Sequence, residues 1–522
     1  MSSLAIDDAP PRSAAEPSAG GRAPGRSSDG KRFWSPTEGW QTARRRLLLL
    51  VPLDIALSIW YFTWLVSPSR VGNPVLYGLL LAAEIFNLVQ AVGFWWTAAR
   101  ARGPLPRPPL FRQPAVDILI PVYSEGIDVV EPTLAAASRL DYPDKSVVLC
   151  DDGDNDDMAA LAARYGARYL RRADHAGAKA GNLNNALRHT TAPLVAVFDC
   201  DHVPDDDFLQ ATVGHFESHD VGLVQTPQYY ENARTNPVAE AAWSQQALFF
   251  GVIARGKDAM SSMFCCGTNV VFRRAALESV GGIPETSVTE DFELSIHMRE
   301  RGWRAVYVPE VLVSGLGPED MASYVSQQHR WARGCLSAIG TALRAKLPRR
   351  QRAQFLLSSL YFLTGWTYLV YMALPVARIL GGEQALAGTT ADQFLSHFAP
   401  YFCASMLTVA IAGQGCYSFG AFALMEANFW IHVSAALRAL LRRRSRFVVT
   451  PKQGSSGRQP RAVAPGLVAV GVLAVAAADG LLHSRSPATL NNVAFAGLHI
   501  SVLLVGMWPA IVGIRASAPP GE

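Results

Sequence analysis

Pro193-Leu194-Val195-Ala196-Val197-Phe198-Asp199-Cys200-Asp201 is an apolar run that stops on two carboxylates one residue apart. Apolar runs of this length bounded by a turn suit a strand buried on both faces. The same grammar recurs upstream. Val116-Asp117-Ile118-Leu119-Ile120-Pro121-Val122-Tyr123 reads as a buried strand ending in a turn, and Ser146–Cys150 as another running into Asp151-Asp152-Gly153. Helical spacing fills the gaps, at Val130–Arg139 and over about 156–165. Strands alternating with helices predict a mostly parallel, doubly wound sheet over 112–318. In such sheets ligands gather at the carboxyl ends of strands, where both acidic clusters fall.

Outside that region the chain is membrane-like. Half of its 522 residues are hydrophobic and 17% are charged, a balance that fits spans joined to one folded domain. The net charge of +4 gives no reason to expect a nucleic-acid partner. Seven cysteines show neither a CxxC pair nor a His at zinc spacing, so reduced thiols are expected. Residues 1–33, rich in Ser, Ala, Pro, Gly and Arg, read as a disordered tail. Two spans are expected within 45–98, two within 353–413 and two within 462–514, each near the ~20 residues a bilayer requires. Residues 319–352 read as interfacial helices, and 417–461 as one amphipathic helix and a loop. Arg44-Arg45-Arg46, Arg100, Arg102 and the Arg442–Arg444 cluster flank these spans, while the loops at 381–393 and 483–489 are nearly free of Lys and Arg. That asymmetry places the 112–318 region and both termini in the cytoplasm of a multi-pass plasma-membrane protein. Intramembrane Asp54, Glu84, Asn87 and Gln90 have two readings, lining a channel or packing helices.

Several short motifs carry chemistry. Asp199-x-Asp201 offers two hard carboxylates that leave positions open for diphosphate oxygens, which suits Mg2+ or Mn2+; solvated turns also show this pattern. Asp152 is placed to meet a base or ribose. Lys179, among Gly177 and Gly181, is a compact cation for phosphate or a stray loop lysine. Thr289-Glu290-Asp291 opens a helix. Ser287-x-x-Glu290 fits a capping box, and Asp291 alternatively fits a general base. Gln327, Arg330 and Trp331 stand at i, i+3 and i+4, so an amide, a guanidinium and an indole share one helix face. Guanidinium suits a diphosphate and the Trp face a sugar ring; an interfacial anchor is the other reading. Phe447–Lys452 lies in a loop where Thr450 and Lys452 could close on phosphate or rest on anionic lipid.

Taken in order, Asp151–Gly153, Asp199–Asp201, Thr289–Asp291, Gln327–Trp331 and Phe447–Lys452 resemble the DDG, DxD, TED, QxxRW and FxVTxK motifs of membrane-embedded family 2 glycosyltransferases of the cellulose synthase type. The resemblance covers roughly 45–515. It implies a GT-A domain, Rossmann-like, inserted among about six transmembrane helices, working on a UDP-sugar and a growing polysaccharide in the lipid bilayer. Asp152, Lys179, Asp199, Gln327, Arg330, Thr450 and Lys452 would then bind the nucleotide-sugar. Asp199 and Asp201 would hold the metal, and Asp291 would be the catalytic base. Trp331, Glu290 and Cys266 would meet the acceptor, the last in Phe264-Cys265-Cys266-Gly267-Thr268, which resembles the family's acceptor-side segment. The expected activity is an inverting, processive β-glycan synthase, with UDP-glucose to β-1,4-glucan first, exporting its polymer through its own channel. Gln328 stands where the cellulose type usually has Arg, which keeps mannan, β-1,3 or mixed-linkage glucan and chitin-like products open. A non-processive transfer to lipid is a further alternative. An accessory subunit is compatible with this reading, whereas a PilZ domain for cyclic-di-GMP is not expected after the last span.

Overall fold

The computed structural model describes residue 34 and residues 39–104, 106–441, 457–484 and 486–514. Two long apolar helices come first, Trp40–Leu65 and Pro74–Arg100. Asn73 opens the second by accepting from the Val75 and Leu76 N–H groups at 3.0 and 3.2 Å, satisfying donors that the helix cannot.

A domain with a central sheet follows. Its strands are β1 (Val116–Val122), β2 (Lys145–Asp151), β3 (Arg168–Arg171), β4 (Leu194–Val197), β5 (His202–Pro204), β6 (Val221–Gln225), β7 (Tyr229–Tyr230), β8 (Val270–Arg273), β9 (Arg304–Tyr307) and β10 (Val313–Gly315). Seven form one sheet in the order β3-β2-β1-β4-β8-β6-β9, and β5, β10 and β7 form a small second one. All seven residues of β1 and all four of β4 are buried, as helices on both faces require. Strands β1, β2, β3 and β4 run parallel. The expected, mostly parallel sheet needs one correction: β8 runs antiparallel to both β4 and β6. The sheet is therefore mixed, because the chain enters β8 from the Phe264–Thr268 segment at the strand end where ligands would sit, and must run back.

Four more membrane-length helices come after the domain, giving six in all among the described residues. The third spans Arg349–Gly381, with a 3-10 turn at Tyr361–Leu363 inside it. The others are Ala391–Ala412, Pro460–His483 and Pro487–Val512. The amphipathic stretch expected as one helix over 417–441 is two, Phe419–Ala427 and Phe429–Leu440. Asn428 separates them: its side-chain amide donates to the Leu424 carbonyl at 2.6 Å, a local bond that competes with the helical ladder.

The intramembrane polar residues settle into helix packing. Asp54 accepts from Trp95 Nε1 at 3.0 Å and from Ser405 Oγ at 2.8 Å. Glu84 accepts from the Tyr371 hydroxyl at 3.1 Å, and Asn87 donates to that same hydroxyl at 2.8 Å. Four separate helices are stitched by these bonds, as the packing reading expects. Gln90 Nε2 has no partner among the described residues.

Close backbone approach does the rest. A Cβ on Gly506 would stand 2.2 Å from the Ala423 carbonyl oxygen, whereas one on Gly497 of the same helix would meet nothing within 4 Å. Gly506→Ala is expected to destabilise the detergent-solubilised protein by about 1–3 kcal/mol through overpacking, read as a lower thermal midpoint. Gly497→Ala is the neutral control on the same helix.

Candidate functional site

The parallel strands β1, β2 and β4 all end at one cavity of about 810 Å3. Tyr123 stands after β1, Asp152 after β2, and Asp199 and Asp201 after β4, and each lines that cavity. From the other side come Cys266 and Gly267, the helix start Glu290-Asp291, and Gln327, Arg330 and Trp331. Every site residue proposed from sequence within the described part therefore meets here, Lys179 included. Thr450 and Lys452 lie outside the described residues.

Asp152 is buried, at 4% exposure. Its carboxylate takes a bidentate pair from Arg172, Nε to Oδ1 at 2.5 Å and Nη2 to Oδ2 at 2.7 Å, and contacts His175 Nδ1 at 3.0 Å. Arg172 also donates to the carbonyls of Ala176 and Ala178 at 2.7 and 3.0 Å. The turn between β3 and the Ala178–Arg188 helix is thereby tied to the end of β2. Asp151 serves the turn itself, accepting from the Gly153 and Asn155 N–H groups at 2.7 and 2.8 Å. The two adjacent aspartates thus have different work: one shapes the loop, and the other faces the cavity.

Asp199, Asp201 and His202 bring one ligand atom each to within 4.8 Å of one another. Asp201 has no exposed side-chain surface, and its Oδ1 lies 3.2 Å from His202 Nδ1. The two hard carboxylates on this turn fit Mg2+ or Mn2+, with the His202 imidazole beside them. Lys179 donates to Asp199 and, at 2.8 Å, to the Gly267 carbonyl. Burial opposes charge on Lys179, but Asp199, Glu290 and Asp291 outweigh it and its proton affinity is raised.

Asp291 lies in the first turn of the Glu290–Glu300 helix. Burial, and then the neighbouring Glu290, push its pKa up to about 7, against the Phe292 N–H, Lys179 and Arg330, which pull the other way. A carboxylate poised near neutrality in a cleft suits proton transfer. The capping box expected from Ser287 and Glu290 does not form. Thr289 is the N-cap and makes no side-chain cap bond, and Gly334 of the Met321–Ser337 helix lies close against it. A Cβ on Gly334 would come within 2.5 Å of Thr289 Oγ1. The helix bearing Gln327, Arg330 and Trp331 is in this way seated against the residue before Glu290.

The Phe264–Thr268 segment is fixed by backbone bonds. Cys266 N–H donates to Gln225 Oε1 and Gln228 Nε2 donates to the Cys266 carbonyl, both at 2.8 Å. Cys265 N–H donates to Ser295 Oγ at 2.8 Å, and Ser295 Oγ donates to the Asp291 carbonyl at 2.7 Å. The floor of the cavity and the start of the Asp291 helix are one bonded unit.

Sequence reading missed Tyr123, Arg172, His175, His202 and Gln228. His202 directly follows the Asp-x-Asp and had a readable signal as a metal-ligand type. Arg172 had none, since its role depends on the β3 turn folding back onto β2.

Comparison with known proteins agrees with this geometry. Residues 114–334 match the family model described as "Glycosyltransferase like family 2". The Cellulose synthase 1 catalytic subunit [UDP-forming] of Komagataeibacter xylinus is 32% identical over 442 residues, 81% of this chain and 59% of that protein. The cellulose synthase catalytic subunit [UDP-forming] of Xanthomonas axonopodis pv. citri is 36% identical over 338 residues, 61% of this chain and 46% of its own length. The chain therefore spans about half the length of these relatives. Among solved structures, the mannosyltransferase PcManGT from Pyrobaculum calidifontis, in complex with GDP-Man and Mn2+, superposes with a TM-score of 0.53 at 19% identity, covering 70% of this chain and 99% of that one; at that identity the likeness concerns the GT-A fold. Between its first two and last four apolar helices, the chain therefore carries a glycosyltransferase domain of family 2, in a chain similar along most of its length to bacterial cellulose synthase catalytic subunits.

Proposed function

We propose that the chain is an inverting, processive β-glycan synthase that uses a UDP-sugar, with UDP-glucose to β-1,4-glucan as the assignment, and passes the polymer out between its own membrane helices. The catalytic domain and both termini are assigned to the cytoplasmic side of the cell membrane. The observation that carries this reading is Asp291, ionising near neutrality in a cavity bounded by Asp199 and Asp201 on one side and by Trp331 and Cys266 on the other.

In this mechanism Asp291 takes the proton of the acceptor hydroxyl as that oxygen bonds to the sugar anomeric carbon and the bond to UDP breaks on the opposite face. Inversion follows from the in-line geometry. Arg330 and Gln327 hold the diphosphate, with Lys179 adding a point charge. Asp152, held by Arg172, meets the nucleoside. Trp331 carries the acceptor sugar ring, with Cys266 and Glu290 beside it. Asp199, Asp201 and His202 would hold Mg2+ or Mn2+, which when bound neutralises charge on the departing diphosphate. Thr450 and Lys452, known here only from their motif, are assigned to closing over the nucleotide. A second reading, another β-glycan such as mannan, is favoured by one residue, Gln328.

Membrane vesicles offered labelled UDP-glucose, UDP-N-acetylglucosamine and GDP-mannose separately test the assignment. Insoluble product from UDP-glucose, cut by a β-1,4-glucanase, is expected. Polymer from another donor replaces the product but keeps the mechanism, and single-sugar lipid products end the processive reading.

Asp291→Asn should lower turnover by about 10^3-fold while the protein stays folded, as loss of a general base does. The pH profile carries a sign. The working form is the carboxylate, so protonation below about pH 7 should lower kcat/KM by about tenfold per unit on the acid limb. An acid limb centred near 4 would mean that Asp291 is not raised by its burial and by Glu290, or that it is not the rate-limiting base.

Arg172→Gln leaves the buried Asp152 charge without its bidentate partner. Breaking such a pair costs about 3–5 kcal/mol, and retention of UDP in equilibrium dialysis should fall together with the thermal midpoint. Unchanged UDP retention would separate Asp152 from nucleoside binding.

A further inference from the structure

Asn184 stands inside the Ala178–Arg188 helix, where asparagine is a poor helix former because its amide competes for backbone partners. Here that amide works outside the helix. Asn184 Oδ1 accepts from the Ile283 N–H at 2.9 Å, while Nδ2 donates to the Ile283 carbonyl and to Glu285 Oε1, each at 2.8 Å. One side chain thus answers both backbone groups of Ile283, and uses both of its own amide hydrogens to hold the 281–289 loop.

That loop is shaped for the contact. It opens through Gly282, whose φ of +92° disfavours a side chain. A Cβ there would also stand 2.8 Å from Asn184 Oδ1. Farther on, Glu285 lies over Gly177, where a Cβ would come within 2.9 Å of its side chain. The loop is therefore held at two points on one helix and its start, and it then runs directly into Thr289, Glu290 and Asp291.

The contact joins two sides of the cavity. Lys179 belongs to the gripping helix, and Asp291 lies in the first turn of the gripped one. They meet across Gly267: a Cβ at that residue would lie 3.1 Å from Asp291 Oδ2 and 3.8 Å from Lys179 Nζ. The bond from Cys265 N–H to Ser295 Oγ restrains the Asp291 helix from the cavity floor, and Gly334 restrains it from the Met321–Ser337 helix. Neither refers it to the helix of Lys179, and Asn184 does.

We propose that Asn184 is a positioning residue for the proton transfer, holding Asp291 in register with Lys179 by gripping the 281–289 loop. It acts through Asp291 as the base proposed above, whichever sugar the cavity takes. Its loss therefore lowers the rate and leaves donor affinity in place.

The test uses the full chain in membrane vesicles, with whichever of the three labelled sugar nucleotides the wild type turns over. Asn184→Ala should lower kcat by about 10^2-fold, the cost of a misplacement near 1 Å. KM for the donor, and retention of the matching nucleoside diphosphate in equilibrium dialysis, should stay as in wild type. Asn184→Asp keeps an acceptor for the Ile283 N–H but sets a carboxylate against Glu285, and should lose as much. Glu285→Gln alone keeps an oxygen that accepts from Asn184 and should stay near wild type. Combined with Asn184→Asp it supplies the missing donor, so the double variant should regain about fivefold over Asn184→Asp, as coupled neighbours do. Wild-type turnover in Asn184→Ala, nucleotide retention falling in step with turnover, or a double variant no better than Asn184→Asp would each overturn the proposal. Asp291→Asn is measured beside them. If it keeps turnover, the base itself is misassigned and the proposal falls with it; if it is inactive while Asn184→Ala is unimpaired, the role of Asn184 alone falls.

Discussion

The site is arranged around carboxylates that repel one another. Asp199, Asp201, Glu290 and Asp291 line a single cavity. Two unit charges about 6 Å apart at an effective dielectric near 20 repel by about 3 kcal/mol, so such a cluster persists only where cations and dipoles answer it. Lys179 reaches Asp199 from the Ala178–Arg188 helix, and Arg330 acts on Asp291 from the Met321–Ser337 helix. Glu290, Asp291 and Glu293 fall in the first turn of their helix, where the positive end of the macrodipole favours acids. Burial, and then what remains of the repulsion from Glu290, leaves Asp291 willing to hold a proton near neutrality. The same crowding makes a strong base and a strong attraction for a divalent cation.

That requirement explains why the elements converge as they do. Strand β4 has to end at the cavity to deliver Asp199 and Asp201. The Phe264–Thr268 segment must cross its floor, which is why β8 runs back antiparallel beside β4. The Met321–Ser337 helix must come close enough for Arg330 to be felt at Asp291, and only a glycine at 334 lets it rest on Thr289. Each of these features breaks a simple local rule, and each is repaid at the cavity.

Much of this was legible in the chain. Apolar runs ending in Asp announced β1, β2 and β4, because a strand buried on both faces leaves no choice of residue. Membrane helices announced themselves by length. The spacing of Gln327, Arg330 and Trp331 fixed their shared face, since helix geometry is local. What escaped notice was non-local. Strand β8 offers only Val270-Val271-Phe272 as an apolar signal, too short to assign without its neighbours. Arg172 looks like any surface arginine until β3 pairs with β2. Asp54 and Glu84 were equally good channel or packing residues, and only the positions of Trp95, Ser405 and Tyr371 decide between them.

The membrane helices and the catalytic domain are joined through the same short pieces that build the site. Lys257 follows from this. It is buried at 3% exposure and donates to the backbone carbonyl and side chain of Gln354 at 2.8 and 3.2 Å. Burial alone lowers its pKa to about 7, and its ammonium lies 5.7 Å from the centre of the Phe264 ring. Gln354 belongs to the start of the third membrane-length helix, and Phe264 begins the floor of the cavity. One side chain therefore touches both the segment that lines the cavity and the third membrane-length helix. Gln354 in turn donates to Thr97 Oγ1 at 3.1 Å, on the second membrane helix. A displacement of either helix would be passed to the cavity floor through polar contacts that are costly to leave unmade in a dry interior. The catalytic domain is thus held by the spans it sits between, and its geometry depends on theirs.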